Sequence, residues 1–89
     1  MRTLPPIRMS HDLSAFIRTL HPIPKKRVHA ALHEIRTYPG SGKALQDDLE
    51  GYRSLRVGKF RIVYRTGIRK EIEIVAVGPR RTISKKPSV

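Results

Sequence analysis

The residues best suited to chemistry are the arginines that recur between Leu55 and Arg81, inside runs that otherwise have the character of β-strands. A strand tolerates such charges only where one of its faces meets solvent or an anion. The guanidinium group is planar and donates hydrogen bonds in a fixed fork that matches two phosphate oxygens. Arginines held on a sheet therefore predict a surface that binds a phosphate backbone.

The charge of the whole chain indicates a polyanionic partner. The 89 residues include 19 Lys and Arg against 7 Asp and Glu, which gives a formal net charge of +12. We expect nucleic acid first, an acidic protein second and an anionic membrane third. The length predicts one domain over 1–89, with loose termini at 1–6 and 82–89.

Other classes of protein are disfavoured by what the sequence lacks. No run of about 18 apolar residues predicts a transmembrane helix, and the first residues lack a signal-peptide core. Cysteine is absent, which removes disulfide frameworks and fits a reducing cytoplasm. His29 and His33 are spaced as zinc ligands on a helix can be, but no third ligand is evident. We expect a cytoplasmic protein with no metal, no cofactor and no membrane partner.

The elements that position the arginines follow from the spacing of apolar residues. Ser10 is a suitable N-cap for a first helix, in which apolar residues follow the one-sided pattern at positions 13, 16, 17 and 20. Pro22 and Pro24 are expected to end it. A second helix is predicted from about Pro24 or Lys25 to Tyr38, before the stop signal that begins at Pro39. Together the two helices predict a helical hairpin.

Strand-like runs follow at about 52–57, 59–66 and 70–78, and Ile7 to Met9 is a candidate for a short strand. Gly58-Lys59 is predicted to form a tight hairpin turn between the first two runs. Strict alternation assigns the side chains to two faces. One face carries Leu55, Val57, Phe60, Ile62 and Tyr64, and the other carries Tyr52, Ser54, Arg56, Arg61, Val63 and Arg65. In the last run, the same rule sets Ile72, Ile74 and Ala76 against Glu71, Glu73, Val75 and Val77. Glu71 and Glu73 could act as a base, but cross-strand pairing with Arg61 or Arg65 is their expected use.

Three segments in order resemble one family. They are Pro39 to Leu45, Leu49 to Tyr64, and Val75 to Arg81 with its Gly-Pro-Arg-Arg ending. At this length and charge, the chain resembles the RelE/ParE superfamily of toxins from type II toxin–antitoxin modules, over roughly residues 7–84. The resemblance implies an α+β fold, with a helical hairpin packed on a small, mostly antiparallel twisted sheet in the order β-α-α-β-β-β.

The resemblance also implies partners and two alternative activities. A cognate protein antitoxin, which we expect to be acidic and partly disordered, would neutralise the toxin. RelE-like members cut mRNA in the ribosomal A site without metal, whereas ParE-like members inhibit DNA gyrase by binding. The sequence favours a RelE-like mRNA interferase acting on the ribosome, with the gyrase inhibitor as the alternative. A basic nucleic-acid-binding module without toxicity ranks last, because it leaves the three matched segments unexplained.

RNA cleavage without metal needs a base for the ribose 2′-hydroxyl, cations at the phosphate and an acid for the leaving oxygen. Arg61 and Arg80 match the two arginines that RelE-like nucleases use at the phosphate, and Arg56 is a further candidate. The strand lysines of those nucleases are not matched, because Tyr52 and Ser54 occupy their positions. Their tail tyrosine is not matched either, because no tyrosine follows Arg81. Tyr52 shares its predicted face with Arg56 and is the candidate phenol. Further RNA-binding candidates are Arg53, Lys59, Arg65, Arg81, Lys85, Lys86, Lys25 and His29.

Overall fold

Two helices pack on a five-stranded sheet in the computed structural model, which describes residues 4–79. The elements are β1 (Ile7–Arg8), α1 (His11–Arg18), α2 (Pro22–Thr37), β2 (Lys43–Ala44), β3 (Arg53–Val57), β4 (Phe60–Thr66) and β5 (Ile72–Pro79). Short 3₁₀ turns at Pro39–Ser41 and Asp47–Leu49 stand on either side of β2. The predicted α+β class and element order are confirmed, and the short edge strand β2 is added to them.

The sheet has the spatial order β1-β5-β4-β3-β2, in which β1 runs parallel to β5 and the other pairs are antiparallel. The backbone just before β1 is tied to two elements. Ile72 donates its N–H to the carbonyl of Pro6 at 2.9 Å, and Arg36 Nε donates to the carbonyl of Pro5 at 2.8 Å. Residues 4–6, expected to be loose, are therefore held in place, while residues 1–3 and 82–89 lie outside the described part of the chain.

Each helix begins at a residue that suits the first turn of a helix. Ser10 caps α1, since its side chain accepts a hydrogen bond from the N–H of Leu13 at 3.1 Å. Helix α2 begins at Pro22, two residues before the predicted start. A first turn tolerates proline because its N–H groups have no partner within the helix. Pro22 and Pro24 therefore open α2, whereas α1 has already ended at Arg18.

The core lies between the helices and one face of the sheet. Its most completely buried side chains are Val28, Ile35, Ile62, Tyr64 and Ile72. Tyr64 also holds the chain after α2, since its hydroxyl donates to the carbonyl of Pro39 at 2.6 Å and accepts the N–H of Gly42 at 2.9 Å. A Cβ atom on Gly42 would lie 2.6 Å from that hydroxyl oxygen, so the contact requires glycine.

The last strand departs from strict alternation. Val63 pairs with Ala76 and Tyr64 pairs with Ile74, which leaves Val75 as an extra residue in a β-bulge. Beyond the bulge the faces exchange, because Val77 pairs with Ile62 and joins the core. The predicted grouping of Ala76 with Ile72 and Ile74 is therefore wrong, and so is that of Val77 with Glu71 and Glu73.

Candidate functional site

The β3–β4 hairpin places two arginines directly opposite each other. Gly58 and Lys59 form a two-residue turn in which Gly58 has φ +60°, a conformation that glycine adopts without strain. This turn sets the register, so that Arg56 pairs with Arg61. Their neighbours Leu55 and Ile62 pack on the core, so the two arginines face away from the helices. Arg56 and Arg61 are called the arginine pair below.

Small residues of β5 border the arginine pair. Gly78 is the partner of Arg61 on the side opposite Arg56, and Ala76 is the partner of Val63 one step further along. Glycine within a strand often marks a place where another group approaches the backbone closely, and Gly78 is buried. Arg56 is exposed, whereas Arg61 is half-buried and its Nε atom is shielded from solvent. An anion from solvent can therefore reach the pair through the guanidinium group of Arg56.

A like-charged pair directly across two strands destabilises the sheet. We expect Arg56→Glu to raise the free energy of unfolding by about 0.5–1 kcal/mol, because it replaces repulsion from Arg61 by attraction. Urea denaturation measures the change. Lys43→Glu is the matched control, since Lys43 is an exposed strand residue opposite the uncharged Ser54. An equal gain in both variants would trace the effect to net charge rather than to the arginine pair.

A second row of side chains crosses the same face. Arg65 pairs with Glu73, and its Nε donates to Glu73 Oε1 at 2.6 Å. This hydrogen bond and the charge of Glu73 raise the pKa of Arg65. The guanidinium carbon of Arg65 lies 5.6 Å from the centre of the Tyr52 ring, within the range of a cation–π contact. Arg8 extends the row, because it is the β1 partner of Glu73.

The family of the chain follows from a match over most of its length. Residues 11–83 match the family model described as the ParE toxin of type II toxin–antitoxin systems, parDE. The chain belongs to this toxin family. Among curated proteins, none matches the toxin in sequence.

Solved structures share the fold of the toxin. The archaeal RelE–RelB complex from Pyrococcus horikoshii contains a chain that is 16% identical, with a TM-score of 0.69 over 88% of the toxin and 97% of that chain. The toxin–antitoxin complex RelBE2 from Mycobacterium tuberculosis gives 26% identity and a TM-score of 0.59, over 88% of the toxin and 100% of that chain. The YoeB–YefM complex from Staphylococcus aureus gives 20% identity and a TM-score of 0.68, over 84% and 95%.

The structure brings some of the predicted catalytic residues of the toxin together and separates others. Arg56 and Arg61 meet across the hairpin. Tyr52 lies with Arg65, four residues along the strands from the arginine pair, which corresponds to about 13 Å. The phenol is therefore placed in the second row rather than beside Arg61. Arg80, the predicted partner of Arg61, lies outside the described residues.

The predicted RNA-binding residues of the toxin divide between several surfaces. Arg53 lies on the helix-covered side, opposite Tyr64, and its Nη1 donates to the carbonyl of Gly42 at 2.8 Å. Lys59 is exposed in the hairpin turn. Lys25 and His29 belong to α2, so they lie in the helical layer rather than on the arginine-bearing face. Arg81, Lys85 and Lys86 are outside the described residues.

In the second row, the pairing of Glu73 was predicted and the position of Arg8 was not. Cross-strand pairing of Glu73 with Arg65 was predicted as one use of that carboxylate, and the structure confirms it. Arg8 was missed as a member of the row. The signal available in the sequence was the strand-like run at Ile7 to Met9, but its partner strand depends on a contact with Ile72, more than sixty residues away.

Between residues 4 and 79, no three His, Asp or Glu side chains gather as potential metal ligands. Within the same residues, no helix is long and apolar enough to cross a membrane. The expectation of a reaction without metal stays a prediction.

Proposed function

We propose that this toxin is a RelE-like mRNA interferase that cleaves mRNA on the ribosome without metal. The observation that carries the proposal is the arginine pair, in which Arg56 and Arg61 directly oppose each other on the face that the helices leave open. A sheet that keeps two like charges in register gives up stability. An anionic ligand bound between the two groups would offset that loss, and a phosphate matches the guanidinium fork.

The proposed reaction assigns an electrostatic role to the arginine pair. Attack by the ribose 2′-hydroxyl on the adjacent phosphorus would form a 2′,3′-cyclic phosphate as the bond to the 5′-oxygen of the next nucleotide breaks and that oxygen takes up a proton. On the way, additional negative charge builds up on the phosphate oxygens. Guanidinium groups fixed on β3 and β4 would stabilise that charge without needing to reorganise. Ala76 and Gly78 place no bulky side chain beside the pair on β5. The ribosome would supply the orientation of the mRNA, so free RNA should be a poor substrate.

The proton transfers need a separate candidate, because guanidinium groups stay protonated. Tyr52 remains the candidate phenol among the described residues, but Arg65 holds it in the second row. The cation–π contact with Arg65 would fix the ring of Tyr52 at this end of the face. Arg65 would thus be a positioning residue, and Glu73 would fix it through their hydrogen bond.

A second candidate function is inhibition of DNA gyrase by binding. The family match favours it, since the matched description is that of the ParE toxin. The residues at the start of β3 also favour it, because Tyr52 and the buried Ser54 stand where RelE-like nucleases are expected to carry lysines. In this case the arginine-bearing face would contact an acidic surface of gyrase instead of RNA.

The partner that we propose in either case is a cognate antitoxin, in the cytoplasm. The structural relatives in P. horikoshii, M. tuberculosis and S. aureus were each solved in complex with a second protein, which in the M. tuberculosis case is named an antitoxin. The net charge of +12 would attract an acidic chain, and a partly disordered segment could wrap a large surface of the toxin.

Induction of the toxin without its antitoxin distinguishes the two activities. For the mRNA interferase we expect growth arrest with broken transcripts, whose ends map within translated regions. Growth arrest with intact transcripts and an induced DNA-damage response would reject the interferase in favour of gyrase inhibition. Unimpaired growth, at a confirmed level of folded protein, would reject both activities.

A further inference from the structure

A small apolar cavity lies between the start of α2 and the β3–β4 hairpin. Its volume is about 230 Å³, and its apolar lining comes from Ile23, Pro24, Val57 and Phe60. Val57 and Phe60 pack against the core, so the cavity is on the helix-covered side of the sheet. Cavities that bind small-molecule ligands usually measure about 300–1,000 Å³. This one is better suited to a single large apolar side chain of another protein.

Ile23 exposes apolar surface beside the cavity. It lies in the first turn of α2, yet 68% of its surface is exposed. Apolar surface that is exposed beside a concave, apolar lining is a common mark of a protein interaction site. A partner that covers Ile23 removes this surface from water, which stabilises the complex.

Two cations border the cavity and restrict the chemistry of its occupant. Arg27 reaches it from α2 and Lys59 reaches it from the hairpin turn. A Cβ atom on Gly58 would lie 3.3 Å from Nη1 of Arg27, so this guanidinium group lies close to the hairpin. An apolar lining with a basic rim is complementary to an apolar side chain flanked by carboxylates.

The charges of the chain decide between possible occupants. A second copy of the toxin would bring a further net charge of +12 towards Arg27 and Lys59. Segment 80–89 of the same chain has four Lys and Arg residues and no Asp or Glu, so it too would be repelled. An acidic partner would be attracted instead of repelled, because the basic rim acts on its charge before the apolar contact forms.

We propose that this cavity anchors one apolar side chain from an acidic segment of the antitoxin. The inference rests on the proposed function only in requiring that an antitoxin exists. Because Val57 and Phe60 face the helices and the arginine pair faces away from them, the anchor and the catalytic face are separate surfaces. The antitoxin therefore gains affinity at a place where it does not compete with the substrate.

Ile23→Asp tests the anchor, with the antitoxin encoded beside the toxin gene as the probe. Titration calorimetry on the purified proteins should show at least tenfold weaker binding, because the carboxylate would face apolar groups and the acidic partner. In cells, growth arrest should persist when the antitoxin is co-induced. Ile68→Asp is the matched control, since Ile68 is 100% exposed in the β4–β5 turn, away from the cavity. The Ile68→Asp variant should bind the antitoxin with native affinity, and the antitoxin should neutralise it in cells.

The basic rim has its own test. Arg27→Glu should weaken binding at least fivefold at low ionic strength and much less at high salt, whereas Arg69→Glu, in the β4–β5 turn, should cause no comparable loss. Native affinity in both Ile23→Asp and Arg27→Glu would overturn the proposal. A native toxin dimer that Ile23→Asp converts to monomer would also overturn it, in favour of a second copy. Failure of the proposed function is read separately, from growth after induction of the toxin alone.

Discussion

Arg61→Ala is expected to abolish growth arrest by lowering the rate of mRNA cleavage about 10²–10³-fold, the usual effect of removing one donor that stabilises transition-state charge. Arg61 is central to the site because it lies between Arg56 and Gly78 and is held by its half-buried position. Cleavage of mRNA on translating ribosomes, measured with purified toxin, gives the rate directly. Thermal unfolding of the same sample shows that the variant is folded.

Two matched variants sharpen the test of Arg61. Arg61→Lys keeps the charge and loses the planar fork, so its cleavage rate should fall between those of Arg61→Ala and the native toxin. Arg69→Ala removes an exposed arginine of the β4–β5 turn and should cleave at the native rate. Native cleavage by folded Arg61→Ala would contradict the proposed role of the arginine pair.

Tyr64→Phe is expected to lower the free energy of unfolding by about 2–3 kcal/mol. The hydroxyl of Tyr64 is fully buried with its ring, and it serves both the carbonyl of Pro39 and the N–H of Gly42. Its removal leaves two backbone groups without that partner, and an unpaired buried group costs about 1–3 kcal/mol. Since small domains are only about 5–15 kcal/mol stable, this is a large fraction of the total. Urea denaturation measures the loss.

The control for Tyr64 is the same change at Tyr52. Tyr52 is half-buried, and its ring contacts Arg65. Tyr52→Phe keeps the ring, so its stability should stay within about 0.5 kcal/mol of the native value. A loss at Tyr64 no greater than that at Tyr52 would show that the hydroxyl does not hold the segment after α2.

Much of the fold could be predicted because its signals are local. The apolar spacing around Ser10 and Ile17, the two-residue turn at Gly58 and the alternation through β3 and β4 each depend on neighbours in the sequence. The bulge at Val75 could not be predicted, since it arises from how β5 fits β4 and the core at once. Strand β2 has two residues and no apolar pattern, so only its pairing with β3 defines it.

The candidate site was predicted in part for the same reason. The opposition of Arg56 and Arg61 follows from the length of the hairpin turn, which the sequence contains. The placement of Tyr52 does not follow, because its contact with Arg65 depends on the register across two strands. Arg53 shows a further limit of prediction from sequence. It was predicted to bind RNA, but its side chain donates a hydrogen bond to the backbone carbonyl of Gly42.

The position of β5 in the sheet has a consequence for biosynthesis. Strand β5 follows the other described strands in the chain, yet it lies inside the sheet between β1 and β4. The pairing of Ile7 with Ile72 and that of Arg61 with Gly78 form only when β5 is in place. While the ribosome still holds residues 72–79 in its exit tunnel, the sheet of the nascent chain is therefore incomplete. Folding is completed only after that segment has emerged.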